Sequence, residues 1–338
     1  MGQKKIQGRK WTLLVPGQIM GLIFLSLASF LGAAEKINTS YITIPPGPSL
    51  IWVAKDAGMF QKQGLDATII FISGSVRGIQ AILAGEIPIG EGGGPGLASA
   101  KLAGGDLVAI AGNINVLPYY LVVHPGIKKP EDLKGKMGAS HIAGTTAEFA
   151  LRVGLKRMGL DPAKDVTLRP LGGTIDRMVA LQKGIVQFTV ATEAGKVMAE
   201  KLGFPTLIDL ATLQIPFPQN GVYASTRFVR ERPEIVRRYV KAYVEAIHFF
   251  KTRKEDTIRI IRKYSRVEDR KTLEEAWEWH ARYFPEAPYP PLEGYRLILQ
   301  DMATTVPKAA KANAGDFIDT RFVKELEDSG FIKSLYGK

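Results

Sequence analysis

From Tyr41 onward, short apolar runs alternate with stretches whose apolar residues recur every three or four positions, and glycine closes most of the helical stretches. The pattern predicts a strand at Tyr41 to Ile44, a helix over Leu50 to Gln63 closed by Gly64, and a strand at Ala67 to Ile72. A short helix at Val76 to Ala84, a strand at Ile87 to Ile89, a helix at Pro95 to Ala103 and a strand at Leu107 to Ala111 follow. Neighbouring apolar residues in the strand at Ala67 to Ile72 suit burial on both faces, as in a sheet covered by helices.

The strand-like segment Tyr120 to Val123 leads into His124, Pro125 and a turn marked by Pro130, where a first crossing to a second lobe is expected. A second set then runs through a strand at Met137 to Ser140, helices at Thr146 to Met158 and Ile175 to Lys183, and a strand at Val186 to Ala191. A helix at Ala194 to Leu202 and a strand at Thr206 to Leu210 complete it, Gly221 to Ser225 is extended, and beyond Pro233 the chain turns almost wholly helical. The expected organisation is a leader at 1–34, a first lobe at 35–123, a second lobe at 124–221, and a return to the first lobe with C-terminal helices at 222–338. This is an α/β chain of two lobes, where two crossings make a hinge and the cleft between lobes is the place for a ligand.

The first residues change where the protein is expected to work. Lys4, Lys5, Arg9 and Lys10 precede an apolar run from Ile19 to Leu31, and Gly32, Ala33 and Ala34 precede Glu35, the order of a secretory signal peptide cleaved near Ala34. Pro16, Gly17 and Gln18 interrupt the apolar stretch, leaving it short of the roughly 20 residues that span a bilayer. An exported, periplasmic protein is the expectation. Cysteine is absent from all 338 residues, which removes disulfides, thiolate metal sites and a cysteine nucleophile. The formal charge of +12 falls to +8 without the four leader cations, a balance that favours anionic partners; the basic residues are dispersed and carry no nucleic-acid motif.

The loops after strands hold the candidate ligand residues. Gly90 to Gly96 follows a strand and opens a helix, so the amides of Gly92, Gly93 and Gly94 can face an anion or polar group, although the run fits neither GxGxxG nor the P-loop. Ser49, Ser75 and Asn113 occupy the strand-to-helix side of the first lobe, where each also suits a cap or a turn. In the second lobe Thr145 is expected to cap a helix, with Glu148 returning a hydrogen bond, while Gly144, Thr145 and Thr146 look toward the cleft. Thr192 and Glu193 close the strand VQFTVA. The four histidines form no metal-ligand pair, and no nucleophile elbow or carboxylate set stands out, so no metal, no cofactor and no enzymatic activity are expected.

Three segments carry a family resemblance: LIWVAKDAGMFQKQGLDATIIFISG from Leu50 to Gly74, AILAGEIPIGEGG from Ala81 to Gly93, and GIKKPEDLKGKMGAS from Gly126 to Ser140. With LKRMGLDPAKDV from Leu155, ALQKGIVQFTVA from Ala180 and RPEIVRRYVKAYVEAI from Arg232, the chain resembles the solute-binding components of ABC importers of the nitrate, sulfonate and taurine group, related to thiamine-pyrimidine precursor binding proteins. The resemblance implies a type II periplasmic-binding fold and a membrane permease as partner; the basic balance and the helix starts lean toward a small anionic organic ligand such as a sulfonate or carboxylate, with an aromatic or pyrimidine compound as the alternative, and a monomer is the default expectation. The resemblance places the ligand contacts at Ser49, Ser75, Gly92 to Gly94, Asn113 and Gly144 to Thr146. Pro88 stands where relatives often have Asp, and Gln187 and Thr189 where Asp and small residues are common. The pyrimidine-synthesising branch uses a cysteine-rich motif that this chain cannot carry. A ligand-binding module serving a signalling partner would use the same fold.

Overall fold

A computed structural model describes residues 1–2, 34–42, 49–143 and 145–338. The expected leader apart from Met1, Gly2 and Ala34, the end of the first expected strand at Thr43 and Ile44, and the candidate Gly144 lie outside the described residues. The chain divides into two compact units, Met1–Glu35 and Lys36–Lys338. Among the described residues no helix is long and apolar enough to cross a membrane.

The strands are β1 Glu35–Tyr41, β2 Leu65–Phe71, β3 Ile89–Gly92, β4 Val108–Ile114, β5 Tyr120–Val123, β6 Met137–Ser140, β7 Thr167–Pro170, β8 Phe188–Ala191, β9 Thr206–Asp209 and β10 Asn220–Ala224. They form two five-stranded sheets, ordered β2-β1-β3-β10-β4 and β7-β6-β8-β5-β9. Each sheet receives one antiparallel strand in its fourth position: β10 runs against β3 and β4, and β5 runs against β8 and β9. The strand expected to close the first segment, Tyr120–Val123, therefore belongs to the second sheet, and the chain passes between sheets after Ile114. It returns before Asn220.

Because β4 neighbours β10 in one sheet and β5 neighbours β9 in the other, the two connecting segments run side by side. Phe217 N donates to Asn115 O at 2.9 Å and Gln219 N to Ile114 O at 3.0 Å. Pro118, Pro216 and Pro218 fix φ at their own positions in these links. Phe217 stacks on Phe149 of the second-lobe helix Thr146–Arg157, with ring centroids 4.7 Å apart.

Several expected elements move. The first strand begins at Glu35, because its buried positions include Thr39 and Ser40 and carry no apolar alternation. The helix expected over Leu50 to Gln63 breaks at Gly58, whose φ of +77° is left-handed, giving Leu50–Asp56 and Met59–Lys62. Gly90, Glu91 and Gly92 lie within β3, and Asn113 lies within β4, so neither group sits on the loop where it was expected. The edge strand β7, TLRP, was not expected at all: it is largely exposed and has no apolar run.

Candidate functional site

The carboxyl ends of β3 and β4 and the amino end of β10 meet at one edge of the first sheet. Asn220 pairs with Ile114 and Gly221 with Gly112, so Asn113 is the extra residue of a bulge. Ser49 starts the helix Leu50–Asp56 beside them: its Oγ accepts from Ile51 N at 3.1 Å and donates to Glu91 Oε1 at 2.9 Å. Ser49 is thus a cap, as its local sequence allowed, and also the hydrogen-bond partner of a buried acid.

Glu91 is the residue that the sequence reading missed, since a glutamate flanked by glycines looked like loop. It is completely buried, and burial pushes its carboxyl up to about 8, offset by Ser49, Asn220 and the Ile42 amide. Although Asn220 and Ile42 are near enough to act on the carboxyl, Oε2 has no hydrogen bond of acceptable geometry. Tyr239, bonded to Thr39 Oγ1 at 2.7 Å, and Tyr243 face it from the helix Pro233–Thr252, and Tyr223 from β10. Asn113 meets Tyr243 in the same region.

The two lobes come together at Gly93, the N-cap of the helix Gly94–Leu102. A Cβ on Gly93 would lie 2.8 Å from Thr146 Oγ1 of the second lobe and 2.9 Å from Ser75 Oγ of the first, closer than real Cβ contacts. Gly94 donates to Pro218 O of the connecting segment at 2.8 Å. Of the expected residues, then, Ser75, Gly93, Gly94 and Thr146 converge, while Ser49 and Asn113 surround Glu91. Gly92 packs against the Tyr223 ring.

Thr145 caps its helix by accepting from Glu148 N at 3.4 Å, and its hydroxyl donates to Ile142 O at 2.8 Å. The reciprocal half of the expected capping box is replaced, because Glu148 pairs with Arg152 one turn on. Thr192 makes no side-chain cap bond. Glu193 instead meets the Tyr120 hydroxyl and lines a separate pocket of about 510 Å³ between the helices Glu193–Lys201 and Arg270–Tyr283, away from Gly93.

A second charged group was also missed. Arg177, on the helix Thr174–Gln182, is 2% exposed, and its guanidinium donates to Thr189 Oγ1 at 3.1 Å, Gly172 O at 2.5 Å, Val190 O at 3.1 Å and Thr174 Oγ1 at 3.4 Å. All four acceptors are neutral, and they cluster at the carboxyl ends of β7 and β8. Burial lowers the Arg177 pKa, and burial followed by this cation lowers that of His141, which follows β6. Thr189, a departure from the family pattern, is the residue that anchors Nε.

A family model described as NMT1/THI5 like matches residues 48–256, more than half of the chain. The chain belongs to that family. Among its relatives are proteins of Brucella abortus, Brucella suis and Brucella melitensis whose names propose a binding function and give no ligand; each is 29% identical over 250 residues, covering 70% of this chain and 74% of the relative. Solved structures share the fold of this NMT1/THI5-like chain. The alkanesulfonate-binding protein SsuA of Xanthomonas axonopodis pv. citri, bound to MOPS, has a TM-score of 0.69 at 16% identity, covering 86% of this chain and 99% of its own. The periplasmic aliphatic sulphonate binding protein SsuA of Escherichia coli has a TM-score of 0.69 at 18% identity, covering 86% and 92%. A point mutant of DszB in complex with biphenyl-2-sulfinic acid has a TM-score of 0.64 at 14% identity, covering 88% and 99%. The fold is that of periplasmic binding proteins, as the motifs implied.

Proposed function

We propose that this protein is the extracytoplasmic solute-binding component of an ABC importer, capturing a small organic molecule between its lobes, closing about the paired connecting segments, and presenting the closed form to a membrane permease. The observation that carries this reading is the convergence of Ser75 and Thr146, from different lobes, on Gly93 beside the two chain crossings. A solute held there makes contacts available only when the lobes are together, and this differential binding is what shifts the population toward closure. No bond is made or broken. The leader expected to end near Ala34 serves export to the periplasm, and the working form is a monomer.

An acidic group on the solute, on an aliphatic or aromatic body, agrees with the buried positive charge of Arg177, which has no carboxylate at salt-bridge distance and stands beside the carboxyl ends of β7 and β8. The sulfonate and sulfinate named for the structural relatives support the same class. The test is a thermal-shift and calorimetric screen against alkanesulfonates, MOPS, nitrate, aromatic carboxylates and pyrimidines. A ligand at about 100 times its Kd adds roughly 2.7 kcal/mol of stability, so one class should raise Tm by several degrees and compact the protein in X-ray scattering. Turnover of any compound, or no response to every class, overturns the reading.

A further inference from the structure

Four charged side chains are buried among the described residues: Glu91, Arg177, Glu245 and Asp301. Glu245 is paired with Lys62, and Asp301 with Arg152 and Lys156. Of these, Glu91 and Arg177 have no opposite charge at salt-bridge distance, and they stand in different lobes, Glu91 near the carboxyl end of β3 and Arg177 beside the carboxyl ends of β7 and β8. Arg177 is enclosed by four acceptors. Glu91 is not: Ser49 serves Oε1, and Oε2 is left without a hydrogen bond of acceptable geometry. Native proteins avoid such orphaned buried atoms unless something else completes them.

We propose that Glu91 is the acid through which the first lobe reads an amino or amidinium group of the captured solute, Oε2 accepting its N–H and the cation supplying the missing counter-charge. The inference rests on the solute-binding reading and narrows it to a bipolar solute, with its acidic end toward the second lobe. The groups facing Glu91 are Ser49, Asn220 and the tyrosines Tyr223, Tyr239 and Tyr243, none of them cationic, so without a solute the carboxyl keeps its proton at neutral pH. A bound cation stabilises the carboxylate instead. Capture at pH 7 therefore releases that proton to solvent.

The test uses the full chain and two matched pairs of probes, 3-aminopropanesulfonate against butanesulfonate and 4-(aminomethyl)benzoate against 4-ethylbenzoate, in titration calorimetry. The amino member of a pair should bind at least about tenfold more tightly, equivalent to about 1.4 kcal/mol. Repeating the titration in two buffers of different ionisation enthalpy should report about one proton released at pH 7. Glu91→Gln should abolish both the preference and the proton release. The proton count needs only the wild-type protein, so it decides the matter even where the variant does not fold. Equal or tighter binding of the amine-free members, or amine binding with no proton released, overturns the inference and leaves solute capture standing. Failure of all four probes, together with a silent wider panel, overturns both.

Discussion

Lys156 Nζ lies 2.8 Å from Asp301 Oδ1, tying the second-lobe helix Thr146–Arg157 to the helix Leu292–Met302. Arg152 Nη1 lies 2.5 Å from the other oxygen of the same carboxylate. Asp301 is 6% exposed, so removing its charge leaves two cations beside a desolvated site, but both cations keep access to water and can relax toward it. Asp301→Asn should therefore cost about 2–3 kcal/mol in denaturant unfolding, below the 3–5 kcal/mol of a fully buried broken pair. Lys156→Met, which removes the more exposed partner, should cost about 1 kcal/mol or less. An Asp301→Asn protein as stable as wild type would show that the carboxylate is solvated.

Gly93 has an ordinary extended backbone, so a side chain there meets no conformational penalty and acts only through space. Alanine would press on two hydroxyls that can rotate away, whereas the branched Cβ of valine cannot avoid both. Gly93→Val should leave stability within about 1 kcal/mol of wild type while weakening capture of the cognate solute at least about tenfold, with Gly93→Ala between them. X-ray scattering should show Gly93→Val more extended with the solute present. Unchanged affinity would mean that the lobes do not close through Gly93.

Local signals made much of the fold legible. The strands Tyr120–Val123 and Met137–Ser140 are apolar or small-residue runs bounded by turn residues, and Ser49 and Thr145 are caps because each stands just before a helical pattern. What escaped was set elsewhere in the chain. β1 is buried through Thr39 and Ser40, and the partner of Thr39 is Tyr239, two hundred residues on. Glu91 looked like loop because glycines surround it, yet those glycines are needed by neighbours: a Cβ on Gly90 would meet Ser40, and one on Gly92 would meet Tyr223. Arg177 is one charge in an amphipathic helix, and only the sheet that closes over it makes it a buried cation. The meeting of Ser75, Gly93 and Thr146 depends on both chain crossings, and no window of sequence contains it.

Arg177 donates in three directions, to Thr189, to Gly172 and to Val190, which only a planar fork can do. Arg177→Met would leave those buried acceptors without a donor and should destabilise by about 2–4 kcal/mol. Arg177→Lys should recover little of that loss, since one ammonium cannot span the three sites. Both should weaken binding of anionic solutes relative to uncharged ones, measured by calorimetry at fixed ionic strength. Full recovery by lysine would mean that charge matters there and fork geometry does not.

The buried Glu91 also sets a pH dependence that needs no ligand. Its folded pKa of about 8 lies above the unfolded value of 4.5, so across that interval the folded state holds more protons than the unfolded state. The group's stabilising contribution is thus complete below about pH 4.5, declines as pH rises, and is gone above pH 8. Each pH unit in that window removes up to about 1.4 kcal/mol. Glutamine has the same shape and does not titrate, so Glu91→Gln should gain on wild type by a few kcal/mol between pH 5 and pH 8.5 in denaturant unfolding of solute-free protein. Ser49→Ala removes the hydrogen bond that holds this pKa down, and should extend the decline to higher pH while its onset near pH 4.5 stays in place. Parallel profiles for wild type and Glu91→Gln would mean that the carboxyl is already ionised in the folded protein, and that a cation reaches it in solution.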